Sequence, residues 1–519
     1  MSSLPAGTAD APHPTPPARP SAGRAGARQW AALAALTLAV TLLAVDGTVL
    51  ALAVPSLTAD LEPTSTQLLW IGDAYSFALA GLLISMGTLA DRIGRKKLLM
   101  IGVTGFGGAS LLAALASTPG TLIVARVLLG VAGATLMPST LSIVRNIFPD
   151  PVQRTRAIAV WAAGSSGGAA LGPLVGGALL ENYWWGSVFL INLPVMALVL
   201  VGVAVLVPES RNPAPGRFDL LSALLSIGAI VPLVWAVKHT AQEGVDLLGG
   251  AAVLLGASAV VWFVRRQRGL EDPLVDVTLF TRPAFTGTVV ASLIAIFAFS
   301  GLLFFFSQYL QLVRGYSPLQ AGLRELPMTI ASIAVVAVVA GVVNRLGVGR
   351  SLGASLLVAA AGLLVLAAGE SRPGYGVLAL GLVIIGTGVG ITFTVSVDAI
   401  LSVVPRERAG AASAISEMSF ELGLALGIAL LGTLHTLLYR AALPQFPNLP
   451  RGAVEGVEES LANGTRALQG LGGTGELALA AARHAFTEAM QTTSVIAAAL
   501  LSIAAVVAWR VVPSAARRP

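Results

Sequence analysis

Long apolar runs separated by short polar connections fill almost the whole chain. A helix that crosses a membrane needs about 20 apolar residues, and runs of about that length follow one another from end to end. Together they predict an all-α integral membrane protein with fourteen transmembrane helices. Their approximate ranges are 30–54, 67–90, 97–117, 120–144, 156–180, 185–207, 217–237, 246–265, 284–312, 320–343, 351–369, 374–403, 409–438 and 486–510.

Three segments depart from this pattern. Residues 1–28 are rich in Pro, Ala, Ser and Gly, and we expect a disordered cytoplasmic tail there. A cleaved signal peptide fits less well, because the first apolar run starts only after Trp30 and opens a long series. The polar connection at 440–485 is expected outside the membrane, where short interfacial helices could form, and residues 512–519 form a second cytoplasmic end.

Composition and charge support this interpretation and set the orientation. Hydrophobic residues make up 55% and charged residues 11% of the 519, too few charges to solvate a soluble protein of this size. Most of the 32 Lys and Arg residues fall in segments that would be cytoplasmic with the N-terminus inside. We therefore expect a multi-pass protein of the inner or plasma membrane with both termini in the cytoplasm. The positive charges form no continuous face, so a nucleic-acid partner is not expected.

A short internal repeat indicates two related halves. The loop after the second run reads DRIGRK at 91–96, and the loop after the tenth reads NRLGVGR at 344–350. We therefore predict six-helix bundles at 29–210 and 276–511, with two inserted helices at 211–275 between them. Chance similarity of short Arg- and Gly-rich loops is the alternative. Paired helical repeats with a midplane site between them are a transporter architecture.

The stretch GTLADRIGRKK at 87–97 combines glycines, one acid and several bases at the inner end of span 2. It resembles the cytoplasmic-loop signature of the major facilitator superfamily. The resemblance implies a charge relay that stabilises the outward-facing state, with Asp91 and Arg92 in that gating role. A simple topology anchor is the alternative. The candidate gating residues are Gly87, Asp91, Arg92, Gly94 and Arg95.

Span 5 carries glycines every four residues, which form one bare stripe along a helix and allow close backbone contact. A proline beside the stripe is expected to bend the helix. The order of these residues resembles the antiporter signature of the same superfamily, which implies export by exchange. Ordinary small-residue packing is the alternative. The residues concerned are Gly164, Gly168, Gly172, Pro173, Gly176 and Gly177.

Three charges are expected at a similar depth in the outer half of spans 1, 2 and 4, namely Asp46, Asp73 and Arg126. A charge inside a membrane helix costs about 2.5–3.5 kcal/mol on insertion scales, so each needs a partner or a watered cavity. A structural ion-pair cluster and a proton-titratable site both remain open, and Arg126 could also reach the outer interface. The stretch around Asp46 resembles the first-span signature of fourteen-span drug:proton antiporters, although Ala51 replaces the frequent Asn.

Spans 12 and 13 contain three further acids, Asp398, Glu417 and Glu421. Glu417 and Glu421 are four residues apart, so they project from one helix face. Two ionised carboxylates would repel each other in a dry site, so at least one is expected to carry a proton much of the time. These segments resemble QacA-type quaternary-ammonium and multidrug efflux pumps. In that group, acids of spans 1, 2 and 13 recognise lipophilic cations and protons.

The chain is therefore identified as a member of the fourteen-span drug:proton antiporters. The resemblance implies a proton-coupled multidrug efflux antiporter, not an enzyme, that exports lipophilic and mostly cationic compounds by alternating access. We expect it to work as a monomer in the bilayer, with no metal and no cofactor apart from protons as the coupling ion. A dedicated proton-coupled exporter of one antibiotic or metabolite is the first alternative, and a non-transporting membrane sensor is the second.

Overall fold

The computed structural model describes residues 25–211, 219–270, 273, 275, 277–403 and 409–513, and every regular element within them is helical. Thirteen of the described helices are long and apolar enough to cross a membrane. A fourteenth candidate bends by 56° between Leu83 and Ser85. The predicted all-α membrane architecture is therefore confirmed.

The N-terminal helices α1 to α7 pack closely on one another. Helix α1 contacts α5 and α7, whereas α4 contacts α2 and α3. Helices α4 and α5 each begin with a proline behind a capping side chain, Thr118 and Asp150, which accept backbone N–H bonds three residues on. The bounds are α1 Ala27–Leu61, α2 Ser65–Ile93, α3 Arg95–Ala114, α4 Pro119–Ile147, α5 Pro151–Asn182, α6 Ser187–Leu190 and α7 Asn192–Leu206.

Two further helices, α8 (Leu220–Glu243) and α9 (Leu247–Gly269), form a hairpin whose α8 also packs on α2. Asp219 and Asp246 cap the two helices. Many large apolar side chains of α9 are exposed, as expected of a helix that faces lipid. This hairpin corresponds to the two inserted spans of the sequence analysis.

The C-terminal helices start at α10 and include two single-turn π-helices, Tyr309–Val313 after α10 and Gly427–Leu431 after α15. Helix α13 packs on α14 and α19, and α10 packs on α14, α15 and α19. The bounds are α10 Pro283–Gln308, α11 Pro318–Ala334, α12 Val336–Leu346, α13 Val348–Glu370, α14 Gly376–Val403, α15 Ala409–Leu426, α16 Gly432–Ala442, α17 Arg451–Glu459, α18 Leu461–Ala467 and α19 Gly472–Val511.

The last span differs from its expected length. The apolar run predicts a helix at 486–510, but α19 has 40 residues and begins within the polar segment 440–485. At 1.5 Å per residue it is about 60 Å long, twice the hydrocarbon thickness of a bilayer. Its Ala-rich first half has high helix propensity and therefore extends the helix beyond the apolar stretch. The rest of 440–485 contains the short helices α17 and α18.

Two junctions each contain a glycine with a positive φ, in agreement with the internal repeat. Gly94 between α2 and α3 has a φ of 113°, and Gly347 between α12 and α13 has a φ of 78°. Each glycine N–H donates to the carbonyl four residues earlier, on Ala90 and Val343 respectively. Only glycine adopts such φ values readily, which explains its presence in both loops. The bundle boundaries at 29–210 and 276–511 stay a prediction.

The N- and C-terminal helices meet on the side of the membrane that carries the short helices α17 and α18. This side is called the hairpin side below, a name that refers to α17 and α18 and not to the α8–α9 hairpin. The opposite side, with the α2–α3 junction, is called the turn side. On the hairpin side, Glu181 accepts hydrogen bonds from the Ser317 hydroxyl at 2.9 Å and the Leu319 N–H at 3.3 Å. Nearby, the Gln311 amide donates to the Leu52 carbonyl at 3.0 Å. These contacts close the hairpin side.

Candidate functional site

The structure brings two of the predicted site residues, Asp46 and Arg126, into a buried ion pair between α1 and α4. Arg126 Nη1 lies 3.0 Å from Asp46 Oδ2, and neither side chain is more than 2% exposed. Arg126 Nε also donates to the Ile71 carbonyl at 3.1 Å, and its guanidinium lies 4.7 Å from the Tyr75 ring centroid. The guanidinium therefore lies between helices and does not extend to the outer membrane interface, which was the alternative for Arg126.

Asn192, at the start of α7, completes this site and was not singled out from the sequence. Its amide Nδ2 donates to Asp46 Oδ1 at 2.9 Å and to Ser110 Oγ at 3.0 Å. Both Asp46 oxygens thus accept hydrogen bonds, which is what a buried charge requires. The one signal for Asn192 in the sequence was an amide side chain within the apolar run of span 6.

Asp73 does not pair with Arg126, the base expected at a similar depth. Its Oδ2 lies 2.8 Å from Nζ of Lys238 on α8, and both side chains are buried. The Lys238 ammonium also lies 4.0 Å from the Trp70 ring centroid. The predicted span 217–237 ends one residue before Lys238, but α8 continues to Glu243 and holds Lys238 within the bundle.

Glu417 and Glu421 lie on α15, which packs against α2. Glu421 is buried and Glu417 is half-buried. Ser76 of α2 lies beside the Glu421 carboxyl group, but Glu421 Oε2 has no hydrogen-bond partner among the described residues. Neither acid belongs to an ion pair in the described part of the chain.

Tyr75 joins the two sets of charges. The charges of Asp46, Arg126, Glu417 and Glu421 all act on its hydroxyl. The charge of Arg126 also acts on Glu421. The ion pair of the N-terminal helices and the acids of α15 therefore face a common region along α2.

The remaining predicted acid, Asp398, belongs to α14, but its side chain lies outside the described residues. Two other acids of the C-terminal helices are buried and were missed, Glu325 of α11 and Glu370 of α13. Ser307 lies beside Glu325, and Ser494 lies beside Glu370. Glu325 lies inside the predicted run 320–343 and Glu370 directly follows the run 351–369, and neither was singled out from the sequence.

The turn-side motif forms a local charge pair. Asp91 Oδ1 accepts from Arg95, with Nη2 at 2.8 Å and Nε at 2.9 Å, whereas Arg92 is exposed. The acid therefore pairs with Arg95, and the gating role of Asp91 and Arg92 stays a prediction. Packing does not require a glycine at the position of Gly87, since a Cβ there would make only an ordinary contact with Pro138.

A further acid, Glu209 after α7, was not predicted in this motif. Its carboxylate accepts the backbone N–H groups of Lys96 at 3.1 Å and Lys97 at 3.2 Å, at the start of α3. A Cβ on Gly94 would overlap this carboxylate. The helix N-terminus attracts an anion, and here Glu209 provides it from outside the loop.

The glycine stripe of α5 has two packing partners. A Cβ on any of the four glycines spaced by four would overlap α1, for example at the Thr41 carbonyl or the Thr48 hydroxyl. The next glycine, Gly177, faces the backbone of α11 instead, and Gly322 of α11 packs on the Pro173 carbonyl. The stripe facing α1 consists of Gly164, Gly168, Gly172 and Gly176.

Possible metal ligands were considered among the described residues alone. Within the described ranges, no group of three or more His, Asp or Glu side chains converges in the way that metal ligands do. The charged sites are instead single ion pairs and single acids between helices.

Comparisons with known proteins found one matching family model and several relatives. The model of the Major Facilitator Superfamily matches residues 36–428. The chain is 43% identical over 489 residues to the multidrug efflux pump LfrA of Mycolicibacterium smegmatis, covering 94% of this chain and 97% of that protein. It is 36% identical over 497 residues to the methyl viologen resistance protein SmvA of Salmonella typhimurium, covering 95% of this chain and 100% of that protein.

Among solved structures, the chain is similar to a bacterial homolog of the human lysosomal transporter Spinster in an inward-facing, unoccupied conformation. The TM-score is 0.64 with 20% sequence identity, covering 93% of this chain and 98% of that chain. At this identity the likeness concerns the fold alone.

Proposed function

This chain belongs to the major facilitator superfamily, and we propose that it is a multidrug efflux transporter that exports lipophilic, mostly cationic compounds in exchange for protons. Two relatives matched over nearly their whole lengths support the proposal. One is named as a multidrug efflux pump and the other as a methyl viologen resistance protein. Methyl viologen is itself an organic dication.

The position of Glu417 and Glu421 is the observation that carries the proposal. They lie at the contact of α15 with α2, and no basic side chain pairs with either among the described residues. A carboxylate in an apolar site must bind a proton or a cation. Phe420 lies between them in sequence and contacts Phe393 at 5.6 Å between ring centroids. Aromatic faces beside an acid suit an organic cation.

Alternating access is the proposed mechanism, and the closed hairpin side supports it. We propose that the hairpin side is extracellular, that both termini are cytoplasmic, and that the protein lies in the cell membrane. A cation would then enter from the turn side and bind near Glu417 and Glu421. Rocking of the halves would open the hairpin side, where protons replace the cation. Each net charge moved across the membrane is worth about 2.3 kcal/mol per 100 mV.

Efflux of ethidium from energised vesicles tests the proposal. Glu421→Gln, Glu417→Gln and Asp46→Asn should each impair proton-driven efflux, because each removes a carboxylate that holds a proton, a cation or the partner Arg126. Glu488→Gln is the matched control, since this acid is exposed on α19. Unimpaired efflux in all three variants would contradict the assignment of these sites.

A dedicated exporter of one compound is the second candidate, and the name of the SmvA relative, which mentions a single compound, favours it. The same buried acids and the same proton coupling would serve either function. A panel of unrelated cations with one neutral antibiotic separates the two. Export of a single compound from the panel would support the dedicated exporter. Binding without proton-driven accumulation in liposomes would instead support a sensor.

A further inference from the structure

The inserted hairpin α8–α9 supplies one buried charge to the N-terminal helices, the ammonium group of Lys238. This group lies 2.8 Å from Asp73 Oδ2 and 4.0 Å from the Trp70 ring centroid. A carboxylate together with an aromatic face is the environment that binds organic cations. The ammonium of Lys238 therefore occupies a place that has the chemistry of a cation-binding site.

This site lies where the N-terminal helices, the α8–α9 hairpin and the C-terminal helices meet. Phe77 of α2, Val234 of α8, and Ala425 and Ala429 of the α15 region form one buried apolar cluster, with Trp70 packed against it. Lys238 is one helical turn from Val234, and Asp73 is one turn from Phe77. A movement of α15 relative to α2 would therefore be transmitted to the contact between Asp73 and Lys238.

Both members of the pair can respond to an added cation. The second Asp73 oxygen, Oδ1, has no hydrogen-bond partner among the described residues. Lys238 lies five residues before the end of α8 at Glu243, which is about 7.5 Å along the helix axis. Its four-carbon stem is long enough to carry the ammonium towards the polar interface on the hairpin side.

We propose that Lys238 is a tethered cation that occupies the Trp70–Asp73 site and is displaced from it by a cationic substrate. The ammonium of the inserted hairpin thereby balances the negative charge of Asp73 when no substrate is bound. This balance lowers the apparent affinity of the site for other cations. This inference rests on the proposed function and adds a competitor that belongs to the protein itself. Lys238 controls whether Asp73 is available to the substrate and does not itself bind the substrate, so it is a positioning residue.

The three lysines of the chain, Lys96, Lys97 and Lys238, allow a direct test without any mutation. The purified full-length protein in lipid nanodiscs is treated with an amine-acetylating reagent, and the modified peptides are quantified by mass spectrometry. Lys238 is buried and should react slowly, whereas saturating tetraphenylphosphonium should increase its reaction rate severalfold. Lys96 and Lys97 on the turn side serve as internal references. An unchanged rate at Lys238 would overturn the proposal.

Affinity for tetraphenylphosphonium provides the second test. The apparent affinity of a site falls with the fraction of molecules in which it is free, so a lysine that fills it nine times in ten weakens binding about tenfold. Lys238→Met should therefore bind the probe about tenfold more tightly, whereas Lys238→Arg should remain near wild type. In Asp73→Asn, the added Lys238→Met change should have no further effect. A folded Lys238→Met protein with unchanged affinity contradicts the proposal.

Asp246→Asn is the matched control for the hairpin itself. Asp246 caps α9, and its hydrogen bond with His239, 2.9 Å long, holds the pKa of Asp246 below its usual value. Breaking this contact loosens the α8–α9 turn but leaves Asp73 and Lys238 in place, so probe affinity should not change. An equal gain in affinity would mean that hairpin packing, not the lysine charge, is responsible.

The outcomes also separate this inference from the proposed function. If tetraphenylphosphonium binds neither wild type nor Lys238→Met, the cationic substrate class is wrong. If it binds wild type and Lys238 still reacts slowly, only the tethered cation is wrong. Should Lys238→Met fail to fold, the acetylation rates of the wild-type protein decide the matter alone.

Discussion

The N-terminal and C-terminal helices neutralise their buried acids in opposite ways. Asp46 and Asp73, the buried acids of α1 and α2, each have a basic group within 3.0 Å, Arg126 and Lys238 respectively. The buried acids of the C-terminal helices have no such ion pair among the described residues. These are Glu325, Glu370 and Glu421.

We propose that this difference gives the Asp46–Arg126 pair and the acids of α15 different tasks. A paired carboxylate is already neutralised by the fold, and removal of its partner leaves a charge that the interior cannot solvate. An unpaired carboxylate in the same environment needs a proton or a cation from elsewhere. The central claim is therefore that Glu417 and Glu421 exchange protons for substrate, while the Asp46–Arg126 pair maintains the charge balance of the N-terminal helices.

The largest effect is expected from breaking the Asp46–Arg126 pair. Arg126→Met leaves Asp46 buried and unpaired, which should cost about 3–5 kcal/mol of stability. Thermal unfolding of the purified protein, followed by fluorescence, measures this loss. Asp46→Leu in the same background should restore much of it, since both charges are then absent.

The contrasting variant is Glu421→Gln, which should leave the unfolding temperature unchanged or raise it, because no partner loses its counter-charge. Glu421 and Asp46 are both buried, so burial alone does not distinguish them. If Glu421→Gln destabilised the protein as much as Arg126→Met, the difference between the two regions would not exist.

A smaller effect is expected from the packing that holds α1, the helix that carries Asp46. Gly172→Ala places a Cβ against the Thr48 hydroxyl, two residues from Asp46, and should cost about 1–3 kcal/mol as an overpacked contact. Unfolding temperature and ethidium efflux should both fall. Gly167→Ala is the control on the same helix, because nothing lies within 4 Å of a Cβ there. Equal losses in the two variants would contradict a specific α1–α5 contact.

The pair at the edge of the inserted hairpin should contribute less than the buried pairs. Burial opposes ionisation of Asp219, but hydrogen bonds from Arg266 and Ser222 outweigh it and hold the pKa of Asp219 below its usual value. Asp219→Asn should cost about 0.2–1 kcal/mol near neutral pH, in the range of partly exposed pairs.

The pH dependence of that loss has a defined sign. A carboxylate whose pKa is lowered on folding stabilises the protein above its unfolded pKa of about 3.9 and ceases to do so as the pH falls through its folded pKa. The stability difference between wild type and Asp219→Asn should therefore be present at pH 7 and shrink below about pH 4. A difference that grows on acidification would contradict the assigned pair.

The smallest effect on stability is expected at the turn side. Asp91→Asn removes an i,i+4 pair with Arg95 that is partly exposed, and such pairs contribute about 0.3–0.5 kcal/mol. A loss of efflux much larger than this change in unfolding would show that Asp91 has a gating role beyond stability. Arg92→Gln is the comparison, since Arg92 is exposed and the acid pairs with Arg95.

Much of the fold could be predicted because the bilayer imposes a simple rule on sequence. The lengths of the apolar runs indicate membrane helices, and the loops around Gly94 and Gly347 indicate a repeat. The same rule fails where a helix continues beyond its apolar residues. Helix α19 continues into polar sequence because helix propensity, not hydropathy, sets its first residues.

The candidate site was only partly predictable for a related reason. Asp46 and Arg126 were recognisable as charges within apolar runs, but their partners depend on how distant helices pack. Asn192 of α7 donates to Asp46, and its amide also donates to Ser110 of α3. Lys238 resembled a loop residue in the sequence, and only the packing of α8 on α2 places it beside Asp73.

Substrate-dependent proton release from the purified protein tests the exchange on Glu417 and Glu421 most directly. Tetraphenylphosphonium is added to wild type and to the Glu417→Gln/Glu421→Gln variant in weakly buffered solution at several pH values, and the released protons are counted with a pH indicator. The wild-type protein should release protons on binding, and the double variant should release none. Equal release from both proteins would contradict the exchange of protons for cations on these two acids.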